Sequence, residues 1–153
     1  WPLDLLADYI EKKHHRYVDS RIPEIMPFLN KVATVHGSRH PELVEVAELF
    51  EQTAGELTVH MKKEEFVLLP SFGTVQNPVA MMKHDHNIEG ERFQKIADLT
   101  NNFTPPADAC KTYMVTFAML KEFENDLHMH IHLENNILFP KAIEMESTFN
   151  VLH

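Results

Sequence analysis

Histidine and glutamate side chains at regular spacing are the part of this sequence that could do chemistry. The chain has 11 histidines in 153 residues. His60 precedes Glu64 by four residues, and His130 precedes Glu134 by the same interval. On a helix this spacing places an imidazole and a carboxylate one turn apart on the same face, where both can reach one metal ion. The two pairs therefore predict a metal centre with nitrogen and oxygen donors.

The phase of the apolar residues indicates which histidines point inward. His15 continues a stripe with Val18 and Ile25, and His86 continues one with Phe93,. Together with the two pairs, each of four helical stretches then supplies one inward histidine, and two of them add a glutamate. Buried polar groups without partners cost about 1 to 3 kcal/mol each, against a total stability of about 5 to 15 kcal/mol. A bound metal removes this penalty.

The number of donors indicates two metal ions. Four imidazoles and two carboxylates are too many for one tetrahedral zinc ion, but they suit two iron-type ions bridged by the carboxylates, with coordination sites left open. Imidazole and carboxylate donors favour iron or manganese over softer metals. Their geometry does not exclude zinc in the expressed protein.

The remaining histidines are interpreted differently. His14 competes with His15 for the inward position, because it continues the spacing of the apolar residues before it, and His15 is preferred for its better phase with the helix that follows. Three histidines lie two residues from an inward one and are expected to face solvent or to support the ligands: His84, His128 and His132,. His36 and His40 fall in the first loop, and His40 is interpreted as an ordinary polar loop residue, like His153 at the end.

Two further residues allow two interpretations each. Gly90 occupies the inward position one turn after His86, where it either permits close helix packing or leaves room for a small molecule beside the metals,. Cys110 is predicted in the first turn of the fourth helix, where the helix dipole would favour its thiolate, and a structural role is equally open.

The elements that would position these residues are four helical stretches at about 3–35, 41–69, 78–100 and 106–138,. The joints between them are short, and Pro41, Pro78 and Pro106 stand where a first-turn proline is tolerated. The sequence therefore predicts an all-α, up-down-up-down four-helix bundle. Pro23 and Pro27 fall inside the first stretch and predict a kink. The residues after Glu146 carry little periodic signal and are expected to form a short, fraying helix.

Composition excludes several classes of function. A formal net charge of -9 argues against binding to DNA or RNA, and the longest apolar runs are shorter than the roughly 20 residues that span a membrane,. A single cysteine, Cys110, favours a reducing compartment, so a cytoplasmic location is expected,. Residues 1–153 are predicted to form one domain, and the start at Trp1 predicts that it is the C-terminal part of a longer protein.

Five motifs resemble those of a known family. They are KKHH at 12–15, HMKKEE at 60–65, HNIEGE at 86–91, NNFTPP at 101–106 and HIHLENN at 130–136. Over nearly its whole length the chain resembles the hemerythrin-like domain of the repair-of-iron-centres proteins, which are di-iron proteins. The resemblance implies two non-haem iron ions bridged by carboxylate, and an additional oxo bridge is left open.

The resemblance also implies the ligands, and they are the same six residues that helical phase selects: His15, His60, Glu64, His86, His130 and Glu134. Glu64 and Glu134 correspond to the bridging carboxylates. An extra histidine of the family falls on His36, which is therefore expected near the metals or their access route. Oxygen-carrying hemerythrins have a further histidine at the position of Gly90, so reversible dioxygen storage is not expected here.

The function implied by the resemblance is repair of iron-sulfur clusters damaged by nitrosative or oxidative stress. Iron delivery, nitric oxide chemistry at the di-iron centre, or both would carry it, and whether the protein is an enzyme is left open. Damaged iron-sulfur proteins and the gases nitric oxide and oxygen are the expected partners, and a homodimer is left open. An alternative is a di-iron sensor or binder of a diatomic gas without turnover, and a third is ferritin-like iron storage.

Overall fold

The structure, a computed structural model, describes Leu5, Tyr9, residues 11–63, residues 76–141, and residues 143 and 144. Four α-helices make up most of this part of the chain: α1 (Arg16–His36), α2 (Glu42–Lys63), α3 (Gln76–Leu99) and α4 (Lys111–Leu133). α1 packs against α2 and α4, and α2 also packs against α3. Within the described ranges there is no β-strand, so the prediction of an all-α bundle is confirmed. None of the described helices is long and apolar enough to cross a membrane.

The first two helices cover most of the stretches predicted for them. α1 continues as an α-helix across Pro23 and Pro27, and the kink expected at these residues stays a prediction. α2 begins at Glu42, one residue after Pro41. The end predicted for it lies in residues 64–75, outside the described part of the chain. The fraying helix predicted after Glu146 also lies outside it.

At one end of the bundle, α1 and α4 each continue into a π-helical turn. The N-terminal π turn (Glu11–His15) leads directly into α1, and the C-terminal π turn (Glu134–Leu138) follows α4. A π turn contains an extra residue relative to an α-turn, so it shifts the direction of the side chains that follow, and such turns are frequent at functional sites. Two predicted ligands, His15 and Glu134, lie at the boundaries between π and α geometry.

The connection from α3 to α4 contains three consecutive residues in the left-handed backbone region. Asn101, Asn102 and Phe103 all have positive φ angles, of 50°, 56° and 60°. The backbone N–H of Asn102 donates to the carbonyl of Ala97 at 2.7 Å, which closes the end of α3,. Asparagine tolerates this conformation well, whereas Phe103 is bulky and is held there by its burial in the core,. The NNFTPP motif is thus a turn.

α4 begins at Lys111, and the prediction of a start near Pro106 is wrong. Local hydrogen bonding explains the difference. Cys110 has an extended backbone, and its Sγ accepts a hydrogen bond from the backbone N–H of Tyr113 at 3.4 Å. Cys110 is therefore the residue that caps the helix, and it does not lie within its first turn.

The core confirms the predicted helix phases. The buried apolar residues include, from the four helices in turn, Val18, Ile25, Leu29, Val32, Leu43, Val46, Phe50, Leu57, Phe93, Ile96, Tyr113, Leu120 and Leu127. The rings of Phe50, Phe93 and Phe123 contact one another in the middle of the bundle. Polar side chains replace this apolar packing toward the two π turns, where the buried residues are mainly histidine and glutamate.

Candidate metal centre

The first group of candidate ligands joins the N-terminal π turn to the far end of α4. One possible donor atom from each of His15, His130 and Glu134 lies within 4.8 Å of the others, and all three side chains are buried. Nε2 of His130 is 2.5 Å from Oε1 of Glu134. The rings of His15 and His130 are 5.2 Å apart between centroids. We call these three residues the α1–α4 cluster.

The second group brings α2 and α3 to the same glutamate. His60, His86 and Glu134 meet the same distance criterion of 4.8 Å and are also buried. Nε2 of His86 is 2.6 Å from Oε2 of Glu134, and Nε2 of His60 is 3.6 Å from that oxygen. The two Nε2 atoms are 2.8 Å apart. We call this group the α2–α3 cluster.

Glu134 belongs to both clusters, and each of its two oxygens is directed to a different one. Its side chain is fully buried. Taking an ionised carboxylate out of water is costly unless positive charge and hydrogen bonds compensate, and converging imidazole nitrogens supply little charge while neutral. A cation in each cluster would provide that charge. The donor set, histidine nitrogen with carboxylate oxygen, suits a first-row transition metal.

The structure brings together five of the six ligands predicted from the sequence, namely those in the two clusters. The sixth, Glu64, lies outside the described residues, so its role as a second bridge stays a prediction. His60 is the last predicted ligand that the structure describes on α2. Its burial and direction agree with the helical phase that also selected Glu64.

Contacts behind the α2–α3 cluster fix the ring of His86. Its Nδ1 donates a hydrogen bond of 2.7 Å to Oδ1 of Asn135, which leaves Nε2 directed at Glu134. On one face the ring of Phe139 stacks on it at 5.7 Å and 13°. Hydrogen bonding through the second ring nitrogen is the usual way in which a protein orients a histidine ligand. Nδ1 of His60 similarly lies 3.6 Å from a carboxylate oxygen of Asp85.

Glu89 is a buried acid near this cluster that the sequence interpretation missed. It is only 4% exposed, and one of its oxygens accepts a hydrogen bond from Arg92 at 2.7 Å. Burial raises the pKa of Glu89 to about 7, although the charge of Arg92 opposes the shift,. Helical phase could have identified this residue, because it follows His86 by three positions and precedes the buried Phe93 by four. Asn135 carried no such signal.

A groove between α2 and α3 leads from solvent to His60. Its volume is about 500 Å³, and its lining includes Glu51, Glu56, Asp85 and Glu89 besides His60. Arg92 crosses the groove and donates hydrogen bonds to Glu56 on α2 and Glu89 on α3. The groove therefore reaches one candidate ligand of the α2–α3 cluster from outside the bundle.

Gly90 is half-buried on α3. The inward position that the sequence predicted for Gly90 is taken by its neighbour Glu89, which is buried. A Cβ atom built on Gly90 meets no atom within 4 Å apart from its immediate surroundings in the helix. Among the described residues outside its own helix, none comes close enough to this Cβ position for close packing to require a glycine. The alternative interpretation, room for a small molecule, agrees with the open space.

The other histidines near the candidate ligands differ in burial. His84, His128 and His132 are exposed, as expected. His14 is buried like His15, and only His15 joins a candidate cluster.

His36 contradicts its predicted position near the metals. Its Nε2 lies 3.2 Å from Sγ of Cys110, and its ring packs on Tyr113 at the start of α4. The candidate ligands lie at the end of α4, about 30 Å away along a helix of this length. His36 therefore lies at the opposite end of the bundle. The order of helices explains the error, because the end of α1 meets the start of α4.

The chain is similar to a known protein family and to named proteins over most of its length. A family model described as the hemerythrin HHE cation-binding domain matches residues 7–142, a span that contains both clusters. A protein of Haemophilus influenzae named "Probable iron-sulfur cluster repair protein" is 36% identical over 143 residues, which are 90% of this chain and 64% of that protein.

Two other relatives carry the name "Iron-sulfur cluster repair protein YtfE". The protein of Musicola paradisiaca is 35% identical over 95% of this chain and 68% of its own length. The protein of Yersinia pseudotuberculosis is 35% identical with the same coverage of both chains, 95% and 68%. The chain thus spans about two thirds of the length of these curated relatives, between 64% and 68%.

Proposed function

The chain belongs to the hemerythrin HHE cation-binding domain family, and on this premise we propose that it is a non-haem di-iron protein that acts in the repair of damaged iron-sulfur clusters. The names of its relatives support the repair role. The histidine and glutamate donors support iron as the metal,. Damage by nitrosative or oxidative stress is the condition under which we expect the protein to act, in the cytoplasm.

The position of Glu134 between the two clusters is the observation on which the di-iron proposal rests. Its two oxygens are directed at two separate pairs of histidines, which is the arrangement of a carboxylate that bridges two ions,. In the proposed centre His15 and His130 hold one iron, and His60 and His86 hold the other. Glu64 is proposed as the second bridge. When bound, the two irons supply redox chemistry and open coordination positions for small ligands.

The protein residues determine what can reach the centre. The groove between α2 and α3 connects His60 with solvent, so small molecules and iron itself can approach from this side. The ligands are buried, which keeps bulky molecules away. We propose that damaged iron-sulfur proteins are the macromolecular partners, with iron delivery, nitric oxide chemistry or both as the means of repair.

Elemental analysis tests the dinuclear centre directly. Chain loaded with iron(II) under anaerobic conditions should hold two irons per chain, and chelation should lower its melting temperature because the metals bind only the folded state. A content of one iron or none contradicts the proposal. So does a melting temperature that is the same with and without metal.

The repair role is tested with a [4Fe–4S] protein whose cluster has been damaged by nitric oxide. Iron-loaded chain, thiol and sulfide should restore the visible absorbance of the cluster faster than the same concentration of a free iron(II) salt. Glu134→Gln, which removes a shared ligand, is the control. Recovery that is no faster than with the free salt contradicts a role in repair.

The second candidate function is a sensor or binder of a diatomic gas, which the open space at Gly90 favours. Mixing the reduced, iron-loaded chain with nitric oxide separates the two candidates. Release of one nitrous oxide and one water from two nitric oxide molecules and two protons, with the two electrons supplied by the iron(II) pair, supports nitric oxide reduction. A stable complex with nitric oxide and no nitrous oxide supports sensing.

A further inference from the structure

His14 is a buried histidine that the proposed function leaves without a role. It is 1% exposed and lies at the α1–α4 cluster. Its ring lies almost parallel to that of His130, with 5.4 Å between centroids and 12° between planes. The ring of Tyr9 contacts that of His14 at right angles, with 5.9 Å between centroids and 81° between planes. The ring of His14 thus lies parallel to that of a candidate ligand, in an offset stack,.

Asp126 holds the ring of His14 in this orientation. Nδ1 of His14 lies 3.2 Å from Oδ1 of the carboxylate, to which it donates a hydrogen bond. Asp126 precedes His130 by one helical turn on α4, so both residues project toward the same ring. Two contacts with α4, the hydrogen bond to Asp126 and the stack on His130, therefore fix the position of His14.

The chemistry of His14 indicates more than filling of the core. With the Nδ1 proton directed at Asp126, Nε2 is the acceptor nitrogen of the ring. This nitrogen is buried and has no hydrogen-bond partner among the residues that the structure describes. An apolar side chain would pack there without burying an unsatisfied nitrogen. The hydrogen bond to Asp126 gives the imidazole a fixed plane, which a freely packed apolar ring would not have.

We propose that His14, held by Asp126, is a positioning residue for His130. The flat stack restricts rotation of the His130 ring about its χ2 angle, so that Nε2 stays directed at Glu134 and at the cation of the α1–α4 cluster. The hydrogen bond between Nδ1 of His86 and Asn135 performs the corresponding task in the α2–α3 cluster,. This inference rests on the proposed metal centre and assigns a role within it.

Cobalt(II) binding to the metal-free 153-residue chain tests this role without any activity measurement. Dissociation constants for the two ions come from chelator competition, and the visible absorption reports the ligand geometry. His14→Ala should weaken the binding of one cobalt ion by about tenfold, which is typical when support of a ligand is lost. It should also change the cobalt spectrum.

Three further variants separate positioning from packing. His14→Phe keeps a ring beside His130 but loses the hydrogen bond to Asp126, so it should recover only part of the affinity, to about the level of Asp126→Ala. Asp126→Ala removes the acceptor, raises helix propensity, and should weaken the same ion by a few-fold with little change in unfolding by urea. His132→Ala changes an exposed histidine on the same helix and should bind cobalt like the wild type.

Several outcomes overturn the inference. If His14→Ala lowers stability but binds both ions with the wild-type affinity and spectrum, His14 is a core residue only. If His14→Phe loses as much affinity as His14→Ala, the stack is not the cause. If His14→Ala does not fold, Asp126→Ala and His14→Phe decide between the two roles. A wild-type chain that binds fewer than two cobalt ions contradicts the proposed centre itself, which is a separate failure.

Discussion

The two clusters of the candidate centre use similar donors and share Glu134, but they differ in what lies behind the ligands. Behind the α1–α4 cluster, His14 packs against the ring of His130, and Tyr9 packs in turn against His14. Behind the α2–α3 cluster, a groove of about 500 Å³ reaches His60. Among the described residues, aromatic rings cover the α1–α4 cluster at His130, whereas the α2–α3 cluster is covered at His86 by Phe139 and reached by the groove at His60.

This difference separates two tasks within one site. Packed rings hold a ligand in one orientation and exclude water, which strengthens the electrostatic interactions among buried groups. An open groove allows exchange of small molecules and ions with solvent. We therefore expect the metal of the α1–α4 cluster to be held more firmly and that of the α2–α3 cluster to exchange faster. The predictions below test this contrast, from the largest expected effect to the smallest.

Glu134→Gln should abolish the binding of both metals, because one oxygen of Glu134 is directed at each cluster. The amide keeps the size of the side chain but loses its charge and one acceptor oxygen. Elemental analysis after iron loading measures the effect. Loss of a single iron would show that Glu134 serves only one cluster.

Glu124→Gln is the matched control for this variant. Glu124 is a buried glutamate on the same helix, 7% exposed, and it pairs with Lys121 at 3.2 Å, away from either cluster. The variant should retain both irons. An equal loss of metal in Glu124→Gln would mean that general destabilisation, not loss of a ligand, explains the result.

Asn135→Ala should affect the α2–α3 cluster alone. It removes the acceptor for Nδ1 of His86, so this ligand can rotate, and we expect about tenfold weaker binding of one metal. Asn136→Ala is the control, because Asn136 is exposed and its side chain hydrogen-bonds to the exposed His132 and to neither cluster. Competition with a coloured chelator measures both affinities. Equal behaviour of the two variants would exclude an orienting role for Asn135.

Glu89 gives the metal-free protein a pH-dependent stability. Burial raises its pKa from 4.5 to about 7, so between these values the folded state keeps a proton that the unfolded state releases. The free energy of unfolding should therefore fall as the pH rises from about 4.5 to 7, by an amount on the order of 3 kcal/mol. Glu89→Gln should remove most of this dependence. Urea unfolding of the metal-free chain at pH 5 and pH 8 measures this dependence. If the free energy of unfolding changes between the two pH values by the same amount in the wild type and in Glu89→Gln, Glu89 is not the cause.

Helical phase predicted the fold and the inward direction of most candidate ligands, because burial of an apolar stripe determines which side of a helix faces inward. His60, His86 and His130 were selected on this basis, and all are buried next to Glu134. In the described parts of all four helices, the buried apolar residues also lie on the side that helical phase predicted. The information is local, so one sequence contains it.

Departures from regular α-geometry were not predictable in the same way. His14 and His15 belong to two stripes that differ in register by one residue, and sequence phase could favour only one of them. The N-terminal π turn joins the two stripes, so that both residues are buried,. The C-terminal π turn has the same effect at Asn135 and Phe139, of which the second is fully buried five residues after Glu134.

The position of His36 shows a different limit. Helical phase places a residue on one face of its helix. It does not say whether two residues on different helices lie at the same end of the bundle. The antiparallel order of helices places the end of α1 beside the start of α4, and this explains the contact of His36 with Cys110 and Tyr113. The same order could have excluded His36 from the site before the structure was known.

Gly90→His should have the smallest effect on metal content. The open space around Gly90 accommodates a Cβ atom, and replacing a glycine in a helix interior raises helix propensity by up to about 1 kcal/mol. Both irons should therefore remain. The new imidazole would stand one turn along α3 from His86, where it reduces the space for a small ligand at the α2–α3 cluster. We expect slower reaction with nitric oxide and a changed visible spectrum.

Gly90→Ala is the control, since it gains the helix propensity without an imidazole and should react like the wild type. If Gly90→His retains both irons and its spectrum and gas reactivity equal those of Gly90→Ala, the open space at Gly90 does not lead to the metals, and the groove beside His60 is the better candidate for gas access.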